Sequence, residues 1–245
     1  EELVERARQI TSDIAHDLRT PLTRLRGQLV LAIRQTHDEN SGTAALPELL
    51  ASALVQLDEV IAIFRALLRL AEIEAGAVKG SFVVFDLSAL LLLVAEAYQP
   101  VAADRGSDLA VHIAPALTFQ GDADLVKLMT INLLENAIRH CPAGTPIALR
   151  AWEAQAAIHI EVVDRGPGIP LAERERVFLR FTRLEAARQT SGFGLGLPLV
   201  KAVATLHRGD VRLLDNRPGL IAQVSLPALG SRALAAAAPV TMADP

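Results

Sequence analysis

The chain has 245 residues, 51% of them apolar, with 24 basic and 28 acidic side chains and a formal net charge of -4. That length allows one large or two ordinary domains with proper cores, and the scattered lysines and arginines give no argument for nucleic-acid binding. A single cysteine, Cys141, excludes an internal disulfide and fits a reducing compartment, and the longest apolar run, LSALLLLVAEAY from Leu87, falls short of the roughly 20 residues a membrane helix needs.

No secretory signal opens the chain. The charged run EELVERARQ at its start reads like a cut through a longer helix, so sequence upstream of Glu1 is expected. The first predicted element is a helix whose apolar stripe runs through Ile10, Ile14, Leu18, Leu22, Leu25, Leu29 and Ile33. At about 100° per residue, His16 falls opposite the middle of that stripe, with Thr20 on the same side and Asp17 adjacent. An exposed histidine is ordinarily a solvated one. Pro21 changes the reading, because a proline inside a helix removes a donor and clashes with the carbonyl four residues back, that of Asp17, at a cost of about 3 kcal/mol.

A polar connection, THDENSGTAALP, carries Gly42 and Pro47 at its turns and leads to a second helix. Leu50, Leu54, Leu57, Ile61, Phe64, Leu68 and Ala71 recur there as a heptad seam. A lone hairpin cannot bury both stripes, so the economical solution is a homodimeric four-helix bundle; the alternative is a hairpin packed on its own chain. This segment, residues 1–78, ends at EIEAGAVKG, where Gly76 and Gly80 break the pattern.

From FVVFD at Phe82 the chain alternates strands and helices. A helix fits from about Asp86 to Ala103, a strand at LAVHIA, and a helix from about Asp122 to His140. Strands follow at PIALRAWE and AIHIEVVD, then a helix from about Leu195 to His207 and a last strand pair, VRLLD and LIAQVSL. This predicts an α/β domain over residues 82–228, followed by a loose tail over 229–245 that lacks amphipathic pattern.

Within the helix DADLVKLMTINLLENAIRH, apolar residues cover most of the circumference while Asn132, Asn136 and Arg139 share one narrow sector. Such a stripe either faces water or meets polar partners; asparagine oxygens suit magnesium and an arginine suits phosphate. Next, VVDRGPGIP runs a strand into Asp164, Gly166 and Gly168. The glycines allow close backbone approach to a flat ligand, and the carboxylate can accept from an exocyclic amine; an ordinary turn would read the same way. SGFGLGLPLV then places Gly192, Gly194 and Gly196 before a helix whose N-terminal amides favour anions. It is not a dinucleotide-binding fingerprint, which needs an early strand and a following acidic residue. Between the glycine clusters, the arginine-rich ERERVFLRFTRLEAARQTS looks like a mobile cover with phosphate-binding side chains.

Taken in order, these motifs resemble the sensor histidine kinases of bacterial two-component systems, from about Glu5 to Pro227. HDLRTPL resembles the phosphoacceptor box, NLLENAIRH the N box, DRGPGI the first glycine box, VFLRFTR the F box and GFGLGL the second glycine box. The resemblance implies a multidomain chain: an all-α dimerisation and phosphotransfer hairpin, then an α/β sandwich of the Bergerat type that binds ATP. It implies His16 as the nucleophile toward ATP, Asp17 as the base that fixes its tautomer, and Thr20 as the residue that helps remove phosphate from a response regulator. Asn136, helped by Asn132, would hold Mg2+. Arg139, Arg180 and Arg183 would meet the phosphates, Asp164 the adenine amine, and His140 would stack on the ring unless it is only a solvated helix end. Gly166, Gly168, Ile169, Gly192, Gly194, Leu195, Gly196 and Leu197 would complete the ATP site.

Three positions depart from the family's pattern: Leu179 where an acidic residue is common, Phe193 where a small hydroxyl residue is usual, and Pro198 in place of alanine. They put lid mobility and nucleotide affinity in question rather than the reaction. The implied partners are a second copy of the chain and a response-regulator receiver domain. The implied setting is the cytoplasmic portion of an inner-membrane sensor anchored upstream, with no membrane contact of its own. Two rivals are a catalytically degenerate nucleotide-binding dimer that sequesters its partner, and a gyrase-like or chaperone-like ATPase. The second would carry a catalytic glutamate where this chain has Asn132.

Overall fold

The structure is a computed structural model and describes residues 46–74, 82–184 and 194–229, together with Thr23, Gly27, Leu29 and Val30, which are helical and exposed. His16, Asp17, Thr20, the turn at Gly42, Gly192, Phe193 and the tail lie outside the described residues. The chain divides into two compact units, the first ending at Glu72 and the second beginning at Ile73.

Helix α1 spans Leu46–Glu74, all but its last two residues within the first unit. At about 100° per residue its apolar residues form two faces roughly 120° apart. Ala53, Val60, Ile63, Leu67, Leu70 and Ile73 are buried, whereas the heptad seam is not: Leu54 is 61% exposed and Phe64 46%. Leu50, Leu57, Ile61 and Leu68 are also exposed.

The second unit is an α/β sandwich. Strand β1 (Val83–Asp86) pairs antiparallel with β3 (Thr118–Gly121), Phe85 facing Phe119. A five-stranded sheet has the order β2-β4-β5-β7-β6, with β2 (Leu109–Ile113), β4 (Ile147–Ala154), β5 (Ala157–Val163), β6 (Asp210–Asp215) and β7 (Leu220–Pro227). Only β2 and β4 run parallel; the remaining pairs are antiparallel. Along β4, Ile147, Leu149 and Ala151 are buried and Arg150 is exposed between them, as a sheet with one covered face requires.

Helices α2 (Leu87–Ala103), α3 (Ala123–His140) and α4 (Gly196–Leu206) lie side by side, α3 touching both neighbours. The starts of α2 and α3 are set by aspartate caps. Asp86 accepts from the Ala89 amide and Asp122 from the Leu125 amide at 3.0 Å, satisfying donors that have no partner in the first turn. A buried histidine fixes the base of the sandwich. His207 Nε2 accepts from the Asp122 amide at 3.0 Å and its Nδ1 lies 2.8 Å from the Val203 carbonyl, so Nδ1 carries the proton. Phe82 stacks on its ring at 4.7 Å.

The helices and strands expected between Asp86 and Leu226 are found to within a residue or two of their expected ends. Strand β3 was not anticipated: TFQG has four residues, ends in glycine and has no alternating apolar pattern, and Phe119 pairs with Phe85, far back in the sequence. The arginine-rich cover is described as far as Leu184. Its first half forms two 3-10 turns, Leu171–Glu173 and Arg176–Phe178, and Val177 is buried.

Candidate nucleotide site

Three parts of the second unit converge. The first is the polar sector of α3. Leu125, Val126, Met129, Leu133, Leu134 and Ala137 are buried around it, which turns Asn132 and Asn136 toward the start of α4. Asn132 donates from Nδ2 to the Leu128 carbonyl at 2.8 Å, which fixes its amide and leaves Oδ1 facing Gly196. A methyl group at Gly196 would sit 3.1 Å from Asn132 Oδ1 and 3.4 Å from Asn136 Nδ2, so only hydrogen fits comfortably there. Asn136 Nδ2 is buried and has no hydrogen-bond partner. An orphaned buried amide costs about 1–3 kcal/mol. It is therefore explained best as a group that waits for a polar ligand.

The second part is Asp164, at the end of β5. Its Oδ1 accepts from the Gly166 amide at 2.8 Å and the Leu220 amide at 3.1 Å. Its backbone is also held: the Asp164 amide donates to the Leu220 carbonyl at 2.9 Å, and its carbonyl accepts from Asn216 Nδ2 at 2.6 Å. With Oδ1 committed, Oδ2 is the oxygen left to receive an amine. The glycines around it are required by crowding. A methyl at Gly166 would meet Asp164 Oδ1, Cys141 Sγ and the His140 carbonyl at 3.2–3.3 Å. A methyl at Gly168 (φ +68°) would lie 2.9 Å from the Gly219 carbonyl oxygen, and one at Gly219 (φ +115°) would run into the Asp164 carbonyl oxygen.

The third part joins the F box to the second glycine box. The Phe181 amide donates to the Gly194 carbonyl at 3.0 Å, and Gly194 (φ +68°) packs on Thr182. Leu195 then caps α4 without any side-chain bond to its first amides. Gly196 and Leu197 supply the first amides of that helix end, and Pro198 supplies none.

At the C-terminal end of α3, His140 is held below its ordinary pKa. Partial desolvation is the largest cause, followed by the cations of Arg139 and Arg183, while Asp164 opposes them. One imidazole thus reports on groups from three of the sequence motifs. Burial pushes the Cys141 thiol up, with the Asp164 charge acting in the same direction. Ile169 is half-buried, its carbonyl accepting from Arg174 Nε at 3.1 Å. Arg180 and Arg183 are half-buried in the described start of the cover.

Of the residues singled out from sequence, the structure thus brings together Asn132, Asn136 and Gly196 on one side, and Asp164, Gly166, Gly168, Arg139, His140 and Arg183 on the other. It does not describe His16, Asp17, Thr20 or Gly192. Sequence reasoning missed Asn216, Gly219 and Leu220, which grip Asp164 from 50 or more residues away; the DNRPGL turn marked a bend there but not its target.

Among the described residues, no group of three His, Cys, Asp or Glu side chains could hold a metal. The donor set here instead suits magnesium bound through a phosphate, because that ion takes few protein ligands beside substrate phosphates and waters, and an asparagine can be one of them. The amide oxygens of Asn132 and Asn136 fit such an ion, while the unpaired Asn136 Nδ2 is a donor and suits a phosphate oxygen.

Two family descriptions match the chain. Residues 6–76 match the His Kinase A (phospho-acceptor) domain, and residues 121–230 match the histidine kinase-, DNA gyrase B- and HSP90-like ATPase. The sensor protein kinase PmrB of Pseudomonas aeruginosa is 33% identical over 227 residues, which cover 91% of this chain and 46% of PmrB. The signal transduction histidine-protein kinase/phosphatase MprB of Mycobacterium tuberculosis is 34% identical over 222 residues, covering 88% of this chain and 42% of MprB. The chain therefore spans less than half the length of these relatives. Among solved structures, the Acinetobacter baumannii histidine kinase AdeS superposes with a TM-score of 0.71 at 22% identity, over 87% of this chain and 98% of that one. The histidine kinase ThkA, solved in complex with response regulator protein TrrA, gives a TM-score of 0.64 at 20% identity over 94% and 64% of the two chains. These two likenesses concern the fold.

Proposed function

The chain belongs to the sensor histidine kinases, carrying a phospho-acceptor module followed by the ATPase module, and from that premise we propose that it phosphorylates His16 with ATP and passes the phosphoryl group to an aspartate of a response regulator. The observation that carries this reading is the buried, unpartnered Asn136 amide beside Asn132 Oδ1 and the bare face of Gly196. That group supports a nucleotide site; a degenerate nucleotide-binding scaffold would keep it too, so phosphorylation itself separates the two readings.

Each residue then has a task. Asp164 Oδ2 accepts from the adenine amine, and the neutral form favoured at His140 allows its ring to stack on the base. Gly166, Gly168 and Ile169 line the base's approach; Gly192, Gly194, Leu195, Gly196 and Leu197 shape the phosphate end. Arg139, Arg180 and Arg183 balance the charge of the triphosphate. Asn136 and Asn132 would hold Mg2+ through their amide oxygens, and the ion would supply charge neutralisation at the phosphate oxygens. The His16 ring nitrogen attacks the γ-phosphorus in line, a nitrogen–phosphorus bond forms, the bond to the β-phosphate oxygen breaks, and ADP leaves. Asp17 accepts the hydrogen bond from the other nitrogen and so fixes the tautomer. Regulator phosphatase activity through Thr20 is a second reading, favoured by the kinase/phosphatase relative MprB.

The domain limits in this reading are 1–78 for dimerisation and phosphotransfer, 82–228 for ATP binding and 229–245 for the tail. The exposed seam of α1 is the surface on which a second copy closes a four-helix bundle. Among the described residues no helix is long and apolar enough to cross a membrane. The greater length of the relatives leaves room for a membrane-anchored sensor region upstream, with this portion on the cytoplasmic side.

Incubation with γ-labelled ATP and Mg2+ tests the proposal. Label on the protein that is acid-labile and base-stable, absent from His16→Gln, and chased onto a receiver domain is the expected result. A folded chain that binds ATP and takes up no label would point instead to the degenerate scaffold.

A further inference from the structure

Beside the nucleotide cleft, on the other flank of α3, Tyr98, Val101, Arg105, Glu135, Ile138 and Arg139 line a groove of about 340 Å³. Glu135 and Arg139 are four residues apart on this helix, in the orientation that favours an ion pair. They form none. The Tyr98 hydroxyl instead donates to Glu135 Oε1 at 2.8 Å from α2, 37 residues away. Burial raises the Tyr98 phenol well above its usual range, with the Glu135 bond and charge next in weight and Arg139 opposing them. The hydroxyl is therefore always a donor at physiological pH, and the arginine lies near enough to be felt. Arg105 Nη1 donates to the Ile138 carbonyl at 3.3 Å, so it is turned to backbone and does not take the carboxylate in place of Arg139.

We infer that Tyr98 is a positioning residue: by holding the Glu135 carboxylate toward α2 it keeps Arg139 from closing an internal ion pair, and so leaves that guanidinium available to the phosphates of a bound nucleotide. This rests on the role proposed above for Arg139 and assigns a new one to the tyrosine and glutamate. Without the hydroxyl, Glu135 becomes a competitor for the same cation. Ion pairs of this kind shift equilibria by up to about fivefold, which sets the size of the effect.

The test is the dissociation constant for Mg2+·ATP of the full 245-residue chain and four variants, each checked for an intact cooperative thermal transition. Tyr98→Phe is expected to weaken binding about two- to fivefold, while Glu135→Gln leaves it unchanged or slightly tighter. The double variant should return to the wild-type value, a rescue that a merely structural tyrosine would not show. Unchanged affinity in Tyr98→Phe, or a loss that Glu135→Gln fails to suppress, overturns the inference. Arg139→Ala separates the two levels. If it binds as the wild type does, the phosphate role of Arg139 falls and the inference with it; if it binds weakly and Tyr98→Phe does not, the inference falls alone.

Discussion

Helices α1 and α3 are both long and rich in leucine, yet they dispose of it differently. In α3 the side chains of Leu125, Leu133 and Leu134 are all but sealed by the sheet and the flanking helices. In α1 one apolar face is buried, and the other, from Leu50 through Leu54, Leu57, Ile61 and Phe64 to Leu68, meets solvent along its length. Each of those side chains could still gain on the order of 1 kcal/mol from burial. The α/β unit is thus complete within one chain, whereas α1 keeps an apolar surface in solvent, the one proposed above to take a second copy.

The sharpest way to break that contrast is to charge the exposed seam. Leu54→Glu with Phe64→Glu should convert a dimer into a monomer in sedimentation at micromolar concentration, while ATP binding by the second unit persists. A wild-type chain already monomeric there would remove the dimer from the account. Leu134→Ala probes the other side of the comparison. Opening a cavity in a sealed core should cost about 2–5 kcal/mol in urea unfolding of the α/β unit, with the dimer mass retained under native conditions. A cost as small as that of an exposed alanine substitution would mean that α3 is not packed as described.

The smallest effect is electrostatic. Because the folded pKa of His140 lies below the reference of about 6.5, the unfolded chain takes up its proton first as the pH falls. Its contribution to stability is therefore unchanged above pH 6.5 and declines below it, until the folded state also protonates. NMR titration should place the His140 midpoint below the reference of about 6.5; a midpoint at or above it would deny the crowding by Arg139 and Arg183.

What could be read from sequence follows from how local each signal is. The asparagine sector of α3 was legible because residues 132, 136 and 139 share one helix and one period, and Asp164 was legible because glycines follow it directly. The heptad seam announced itself in the same way. The pairing of Asp164 Oδ1 with the Leu220 amide, the Tyr98–Glu135 bond and the His207 clamp on Asp122 were not legible, since each joins elements that meet only once the sandwich has formed. Strand β3 escaped for a related reason: its register with β1 is set by Phe119 packing against Phe85 and His207, not by any alternation of its own.

The central claim is that Asn136, beside the start of α4, and Asp164, at the end of β5, bind ATP. Calorimetric titration of Mg2+·ATP into the wild-type chain, Asn136→Ala and Asp164→Ala tests it most directly. Saturable binding that weakens at least about tenfold in each variant, with cooperative unfolding preserved, is the predicted result. Equal affinity in all three would contradict it.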